Sequence, residues 1–193
     1  PWTRATAAVI RLHTLGESTI DIRGTRVGPE AVVFFGLLLY LSMQEGRAVS
    51  RSRLRELFWP DAAEAKAWHS LRQLLYRLRR LGVELDVTAS HVRLDRSVVT
   101  IDLDETLGAP GSVERLPERS SAAFLDGYAP DFSQPFTDWL DEQRSLVHAR
   151  LRGELLATIA TSRSRGDCLA LARCARAWLA DHPLYEMGTH ALA

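Results

Sequence analysis

One stretch, residues 64–82 (EAKAWHSLRQLLYRLRRLG), limits the possible folds of this chain more than any other. Apolar side chains recur in it at the three- and four-residue spacing of an amphipathic helix, namely Ala67, Leu71, Leu74, Leu75 and Leu78. At about 100° per residue, these side chains share one side of the helix. The pattern therefore predicts a helix with one buried face.

The opposite side of this predicted helix carries side chains that suit nucleic acid. It holds His69, Gln73, Tyr76 and Arg80, with Lys66, Arg72 and Arg77 on its flanks. Arginine can hydrogen-bond guanine edges, and glutamine can hydrogen-bond adenine edges. Arginine and lysine side chains also contact phosphates. An isolated helix of this composition is more often an ordinary solvated surface helix, so the flanking sequence must decide between the two interpretations.

The formal net charge is zero, but the charges are unevenly distributed. Residues 1–104 carry 15 Arg and Lys against 12 Asp and Glu, whereas residues 105–193 carry 9 against 12. Within residues 47–80 the numbers are 9 and 3. Such a local excess of cations is typical of a nucleic-acid-binding face.

No pattern in the sequence predicts a membrane segment, a metal site or a catalytic site. The longest apolar run, AVVFFGLLLYL at residues 31–41, is too short to cross a bilayer. Cys168 and Cys174 form no CxxC motif and are predicted to be reduced core residues of a cytoplasmic protein. The common nucleotide-binding and catalytic motifs are missing, and the histidines show no metal-ligand spacing. We therefore expect no enzyme activity, no metal and no cofactor.

The elements predicted around residues 64–82 complete a module. Alternating runs at residues 8–16 and 19–24 predict two short antiparallel strands. An almost wholly apolar run predicts a central core helix over residues 29–44. Ser50 is the predicted N-cap of a short helix. Three alternating runs within residues 83–103 predict a β-hairpin and a closing strand.

This order of elements is that of a winged helix, in which the second helix of a helix-turn-helix lies in the DNA major groove. Arg51 and Arg53 stand in the first turn of the short helix, where cations oppose the helix dipole, so a nearby phosphate would explain their position. Arg93 is the predicted contact from the hairpin wing. His91 beside it is predicted to be an ordinary surface residue.

The sequence SRLRELFWP (residues 52–60) followed by SLRQLLYRLRRLG (residues 70–82) resembles the SARP-type transcriptional regulators. The N-terminal strands and LYRLRRLG resemble the broader OmpR/PhoB-type winged helix. This resemblance implies binding of double-stranded promoter DNA, with a homodimer on direct repeats. It places Leu71, Leu75 and Leu78 on core positions, and Arg72, Gln73, Tyr76, Arg77 and Arg80 on or beside DNA-facing positions. It also implies that the loop containing Trp59, Asp61 and Glu64 contacts RNA polymerase.

The second half begins after residues 105–121, where Gly, Pro and Ser interrupt the strand pattern and predict a domain boundary near residues 104–112. FLDGY (residues 124–128) and FTDWL (residues 136–140) then resemble the bacterial transcriptional activator domain (BTAD), which follows the winged helix in SARP-type proteins. Trp139 is predicted to be a core anchor against Phe124 and Phe136. A long helix from Thr137 to about Arg163, a second helix that ends at Pro183 and the start of a third are typical of TPR-like hairpins. Their predicted inward residues include Leu146 and Leu169.

We therefore predict a mainly α (α+β) chain. Residues 1–104 form an OmpR-type winged helix with N-terminal β-strands and a hairpin wing, and residues 112–193 form an incomplete, all-α, TPR-like activator domain. Because the sequence stops within a helical hairpin, we expect a longer protein. The predicted function is that of a DNA-binding transcriptional activator without a membrane segment, whose helical domain serves self-association, regulation or polymerase contact.

The alternative is a protein-interaction scaffold whose winged helix no longer binds DNA. Exposure or burial of one face of the helix predicted over residues 64–82 distinguishes the two functions. This face comprises His69, Arg72, Gln73, Tyr76 and Arg80. Exposure of the face favours DNA binding, whereas burial favours the scaffold.

Overall fold

The structure is a computed structural model that describes residues 9–108 and 123–181. The chain divides into two compact units that alternate along the sequence. Among the described residues, unit 1 contains residues 9–13, Ser18–Ile101 and Gly127–Asp141, and unit 2 contains Thr14–Glu17, residues 102–108, residues 123–126 and residues 142–181. The winged helix lies in unit 1.

The elements of the chain follow in sequence order. They are β1 (Ile10–His13), β2 (Thr19–Ile22), β3 (Thr25–Val27), α1 (Val32–Met43), β4 (Val49–Ser50), α2 (Arg51–Phe58), α3 (Glu64–Arg80), β5 (Leu85–Val87), β6 (His91–Leu94), β7 (Val99–Ile101), α4 (Asp102–Gly108), α5 (Gln134–Arg165) and α6 (Cys168–Asp181). The predicted class, a winged helix with N-terminal strands followed by helices, is confirmed.

The N-terminal sheet of unit 1 has the strand order β3-β2-β1-β7. Strands β1 and β2 are antiparallel as predicted, with Ile10 opposite Ile22, while β7 pairs with β1 in parallel. Strand β3 was not predicted. It follows β2 directly because Arg23 and Gly24 have positive φ angles of 51° and 84°, which form a tight hairpin turn.

The helix α1 is the central core helix that the sequence predicts, although it begins at Val32 and not at Pro29. Its residues from Phe34 to Ser42 are all buried. Ser50 caps α2 as predicted, because its Oγ accepts a hydrogen bond from the backbone N–H of Arg53 at 3.1 Å. The hairpin of β5 and β6, extended by β4 in the order β4-β6-β5, forms the predicted wing.

Residues Gly127–Asp141 belong to unit 1, although the sequence analysis assigned them to the second domain. They pack aromatic rings on α1 and α2. The ring centroids of Tyr128 and Phe35 are 4.6 Å apart, and those of Phe136 and Phe58 are 4.9 Å apart. The Tyr128 hydroxyl also donates a hydrogen bond of 2.8 Å to the carbonyl oxygen of Val32. These residues therefore complete the core around the helix-turn-helix.

Trp139 lies in the same aromatic cluster. Its ring centroid is 5.2 Å from that of Phe136, as predicted, and 4.9 Å from that of Tyr40. Phe124, the other predicted neighbour, belongs to unit 2. The anchoring role of Trp139 is thus directed at α1.

The closing strand is shorter than predicted, because residues from Asp102 onward form α4. The Asp102 carboxylate is buried in unit 2. It accepts hydrogen bonds from the Thr14 backbone N–H at 2.9 Å, the Thr14 hydroxyl at 2.6 Å and the Leu15 backbone N–H at 3.2 Å. The alternation of apolar and polar residues alone predicts that the strand continues past Asp102. The hydrogen bonds between the Asp102 carboxylate and the distant Thr14 and Leu15 compete with further strand pairing.

The part of α5 that belongs to unit 2 and the helix α6 correct two predictions about the buried face. Leu146 and Leu169 were predicted to face inward, but 57% and 75% of their surfaces are exposed. Val147 is buried in place of Leu146. Cys174 is buried as predicted, and this burial raises the pKa of its thiol, whereas Cys168 is exposed. The predicted third helix, after Pro183, and most of the predicted linker lie outside the described residues.

Candidate nucleic-acid interface

The helix α3 has the buried face that its sequence predicts. Ala67, Leu71, Leu75 and Leu78 are buried, and Leu74 is half-buried. Glu64 stands in the first turn and three arginines stand in the last turn, so the charges complement the helix dipole. Gly82, with φ of 81°, ends the helix and turns the chain toward β5.

The opposite side of α3 is exposed, and we call it the α3 outer face. It comprises His69, Arg72, Gln73, Tyr76 and Arg80, each of which is exposed. Tyr76 has 60% of its surface exposed and is one of the few large apolar side chains to be so exposed among residues 9–108 and 123–181. Lys66 and Arg77 are exposed on the same helix. The predicted face is thus accessible within unit 1, and its residues present amide, imidazole, phenol and guanidinium groups.

Arg77 differs from the other cations of α3. Its guanidinium carbon lies 4.6 Å from the ring centroid of Phe34 in α1, a cation–π distance. Phe34 itself is buried. Arg77 therefore joins α3 to α1, a role that the helix pattern could not reveal.

A groove of about 380 Å³ runs between α3 and the turn of the wing. Arg51, Ala65, Trp68, Arg72 and Ala89 line it. The guanidinium carbon of Arg51 lies 5.5 Å from the Trp68 ring centroid, and the Arg51 backbone N–H donates a hydrogen bond of 2.8 Å to the carbonyl oxygen of Ser90. The start of α2, the first half of α3 and the wing turn therefore meet at one place.

Trp68 lines this groove although its sequence position was not predicted to be functional. It is half-buried, and its indole Nε1 donates a hydrogen bond of 3.1 Å to the Glu64 carboxylate. Its spacing from Leu71 and Leu75, three and seven residues, places it at the margin of the apolar face. That spacing was the only available signal.

The two arginines of α2 differ in their surroundings. Arg53 is exposed. Arg51 is half-buried, and its Nε has neither solvent exposure nor a hydrogen-bond partner among the described residues. The outer nitrogen atoms of a guanidinium group can still donate to an anion in the groove.

The wing places Arg93 and His91 on its exposed side. Arg93 lies 3.5 Å from the Asp86 carboxylate across the hairpin, and both side chains are more than half exposed. Such a surface ion pair contributes roughly 0–1 kcal/mol, so Arg93 can exchange this partner for another anion. His91 hydrogen-bonds the Ser90 hydroxyl through Nδ1 at 2.8 Å, consistent with an ordinary surface position.

The loop before α3 combines one anchored residue with exposed acidic groups. Trp59 is half-buried, and its ring centroid is 5.7 Å from that of Phe58. Asp61 and Glu64 are exposed, and Glu64 accepts the Trp68 hydrogen bond. Of the three residues predicted to contact polymerase, Asp61 and Glu64 are therefore accessible, and Trp59 is partly covered.

No metal site emerges in the part of the chain that the structure describes. Residues 9–108 and 123–181 contain no group of three or more His, Cys, Asp or Glu side chains arranged to bind a metal ion. Within the same ranges, every helix is too short or too polar to serve as a membrane span.

Comparison with known proteins shows a likeness to a solved structure. No family model and no curated protein sequence matches the chain. Among solved structures, the chain is similar to EmbR of Mycobacterium tuberculosis, which was solved in complex with a low-affinity phosphopeptide. The TM-score is 0.60 at 21% sequence identity, over 95% of this chain and 53% of the EmbR chain. The chain thus spans about half the length of EmbR and has an EmbR-like fold.

Proposed function

We propose that the chain is the DNA-binding part of a SARP-type transcriptional regulator. The observation that carries this proposal is the α3 outer face, which presents Arg72, Gln73 and Arg80 to solvent on the second helix of a winged helix. In this motif, the second helix of the helix-turn-helix enters the major groove. The likeness to EmbR, a SARP-family regulator, supports the same type of protein.

The residues around α3 have the charge that DNA requires. Lys66 and Arg72 on α3, Arg51 and Arg53 on α2, and Arg93 on the wing come from three elements of unit 1. We assign phosphate contacts to these cations. Base contacts are assigned to His69, Gln73, Tyr76 and Arg80, because imidazole, amide, phenol and guanidinium groups can each hydrogen-bond base edges. Arg77 has its primary role in packing on Phe34.

The alternative function is a scaffold whose winged helix has lost DNA binding. It requires the α3 outer face to be covered by protein. The exposure of Tyr76, at 60%, and of Arg80 within unit 1 favours the DNA-binding function instead.

DNA selection from a random duplex library tests the proposal. The full chain of 193 residues is used at two salt concentrations, and we expect enrichment of a short motif in direct repeat. The Arg72→Ala/Arg80→Ala variant should lose this enrichment, and its slope of log K against log salt should become shallower by about 0.9 for each phosphate that it no longer binds. Arg11→Ala, on the exposed side of β1, is the matched control and should bind like the parent.

Two results would contradict the proposed function. Binding of the parent to no duplex at either salt concentration would favour the scaffold. Unchanged affinity, slope and motif in the double variant would remove α3 from the interface. The melting temperature of each variant should equal that of the parent, since both arginines are exposed.

We further propose that this regulator acts as an activator in the cytoplasm, with a homodimer on direct repeats and RNA polymerase as partners. The loop before α3 is the proposed polymerase contact, with Trp59 as its anchor and Asp61 and Glu64 as its acidic groups. The helical domain, residues 112–193 in the predicted boundaries, would serve self-association or regulation. Asp61→Ala should lower transcription from the selected promoter in a reconstituted assay and leave DNA affinity unchanged. Equal loss of both activities would refute a separate polymerase contact.

A further inference from the structure

A second groove lies at the other end of α3, where the N-terminal sheet meets the start of β5. Its volume is about 440 Å³, and Arg23, Arg79, Gly82, Val83, Glu84 and Leu85 line it. All six residues belong to unit 1. We call it the Arg23 groove. None of its residues was predicted to bind a ligand.

The backbone positions Arg23 at this groove from a distant part of the sequence. Arg23 is the first residue of the tight turn between β2 and β3, and its φ of 51° is rare for a residue with a side chain. Its backbone N–H donates a hydrogen bond of 3.0 Å to the Val9 carbonyl oxygen. The Asp21 carboxylate accepts a hydrogen bond of 2.8 Å from the Gly24 N–H and closes the same turn. These hydrogen bonds therefore fix the backbone position from which the Arg23 side chain extends.

The Arg23 side chain crosses the end of α3 at Gly82. A Cβ atom added to Gly82 would lie only 2.7 Å from the Arg23 Nε and 2.9 Å from its Cδ. Gly82 also has a positive φ of 81°, so the turn at the end of α3 favours glycine there. The absence of a side chain at residue 82 leaves space for the guanidinium group of Arg23 beside Arg79.

The charges of the groove are unbalanced. Among residues 9–108 and 123–181, neither Arg23 nor Arg79 forms an ion pair, and the Glu84 carboxylate that lines the same groove pairs with neither of them. Within this part of the chain, two guanidinium groups thus share one groove with a single carboxylate. An added anion with two acceptor oxygens would satisfy both arginines, and phosphodiesters suit the fork geometry of arginine.

The position of Arg79 connects this groove to the proposed DNA interface. Arg79 follows Arg72 by seven residues, so both lie on nearly the same line along α3, about 10 Å apart along the axis. Arg72 in turn lines the groove between α3 and the wing turn. Arg79 therefore lies on the same side of α3 as Arg72, which belongs to the α3 outer face.

We propose that the Arg23 groove binds a phosphodiester of the DNA backbone, so that the hairpin turn between β2 and β3 is part of the DNA interface. This inference rests on the proposed function. In this arrangement Arg23 and Arg79 contribute affinity without sequence preference, because phosphate contacts position the protein while base contacts specify the sequence.

A salt titration of DNA binding tests the proposal with the full chain. The probe is a fluorescein-labelled 40-base-pair duplex pool of random sequence, and the variants are Arg23→Gln, Arg79→Gln and the double variant. Each phosphate that a variant no longer binds should make the slope of log K against log salt shallower by about 0.9, which corresponds to about 3.5-fold less change in affinity between 50 and 200 mM salt. The motif selected by each variant should remain that of the parent.

Two control variants separate charge from structure. Arg23→Lys keeps the charge at the turn and should restore most of the parental slope. Arg11→Gln removes one positive charge from the exposed side of β1 in the same sheet and should leave the slope unchanged. A reduced slope in Arg23→Gln together with a parental slope in Arg11→Gln would support a local contact.

The outcomes distinguish this inference from the proposed function. If Arg72→Ala/Arg80→Ala lowers the slope while Arg23→Gln and Arg79→Gln retain the parental slope, the Arg23 groove binds no DNA phosphate and the proposed function stands. An equal reduction of the slope in Arg11→Gln would show that the effect comes from net charge, and it would also overturn the local contact. Failure of the parent to bind any duplex would overturn both.

Discussion

The substitution Gly36→Ala tests whether residues Gly127–Asp141 complete the core of the winged helix. Gly36 is buried in the middle of α1. A Cβ atom at this position would lie 2.5 Å from the Tyr128 Oη and 2.9 Å from the Phe136 Cζ. Real Cβ atoms do not approach heavy atoms so closely, so a ring or the helix would have to move.

Two opposing effects determine the free energy of unfolding of this variant. Alanine in a helix interior is more stable than glycine by roughly 0.5–1 kcal/mol. Overpacking a core costs about 1–3 kcal/mol, and two contacts below 3.0 Å place Gly36 in the upper part of that range. The net result should be a loss of about 1–2 kcal/mol, or roughly 2–8 °C in melting temperature for a chain of this size.

Gly153→Ala in α5 is the matched control. Gly153 is also a helix residue, but it is exposed, and no heavy atom lies within 4 Å of the added Cβ. The same substitution should therefore stabilise the protein by roughly 0.5–1 kcal/mol. Urea unfolding followed by circular dichroism and tryptophan fluorescence measures both variants. If Gly36→Ala were as stable as the parent or more stable, the aromatic residues of Gly127–Asp141 would not pack on α1.

Three further predictions concern the core, a buried carboxylate and pH. Leu71→Ala removes a fully buried side chain of α3 and should lower the free energy of unfolding by about 2–5 kcal/mol, while parental stability in a urea titration would mean that α3 has the opposite orientation. Asp102→Ala leaves the buried N–H and hydroxyl of Thr14 without their acceptor and should cost roughly 1–3 kcal/mol, whereas a smaller loss in thermal unfolding would show that water replaces the carboxylate. Hydrogen bonds from Ser97, chiefly from its backbone N–H and secondly from its hydroxyl, lower the pKa of Asp95. The stability that ionised Asp95 contributes to the fold should therefore be complete above the usual Asp pKa and be lost as the pH falls through the lowered pKa. Urea midpoints from pH 2 to 7 should show a smaller acid loss in Asp95→Asn than in the parent, and identical profiles would refute the linkage.

Local sequence patterns were sufficient to predict most elements of the winged helix and the two faces of α3. A period of 3.6 residues records which side chains of a helix share a side, so Leu71 could be assigned to the core and Arg80 to solvent from spacing alone. The capping role of Ser50 could be predicted for the same reason, since it depends only on residues within one turn. The boundaries were less accurate, as the later start of α1 at Val32 illustrates.

Which distant segments contact each other, in contrast, depended on the packing of the whole chain. No local pattern could indicate that Tyr128 and Phe136 would lie against Gly36, because aromatic packing depends on how two segments about 100 residues apart approach each other. Likewise, the alternating pattern predicted a strand at Asp102, but the chain forms a helix from this residue onward. The Asp102 carboxylate accepts a hydrogen bond from Thr14, which is distant in the sequence. Helix periodicity also identified the cations of α3 without distinguishing Arg77, which packs on Phe34, from Arg79, which shares a groove with Arg23. Periodicity encodes the neighbours of a residue along its own element, whereas the partners of its side chain depend on the packing of the other elements.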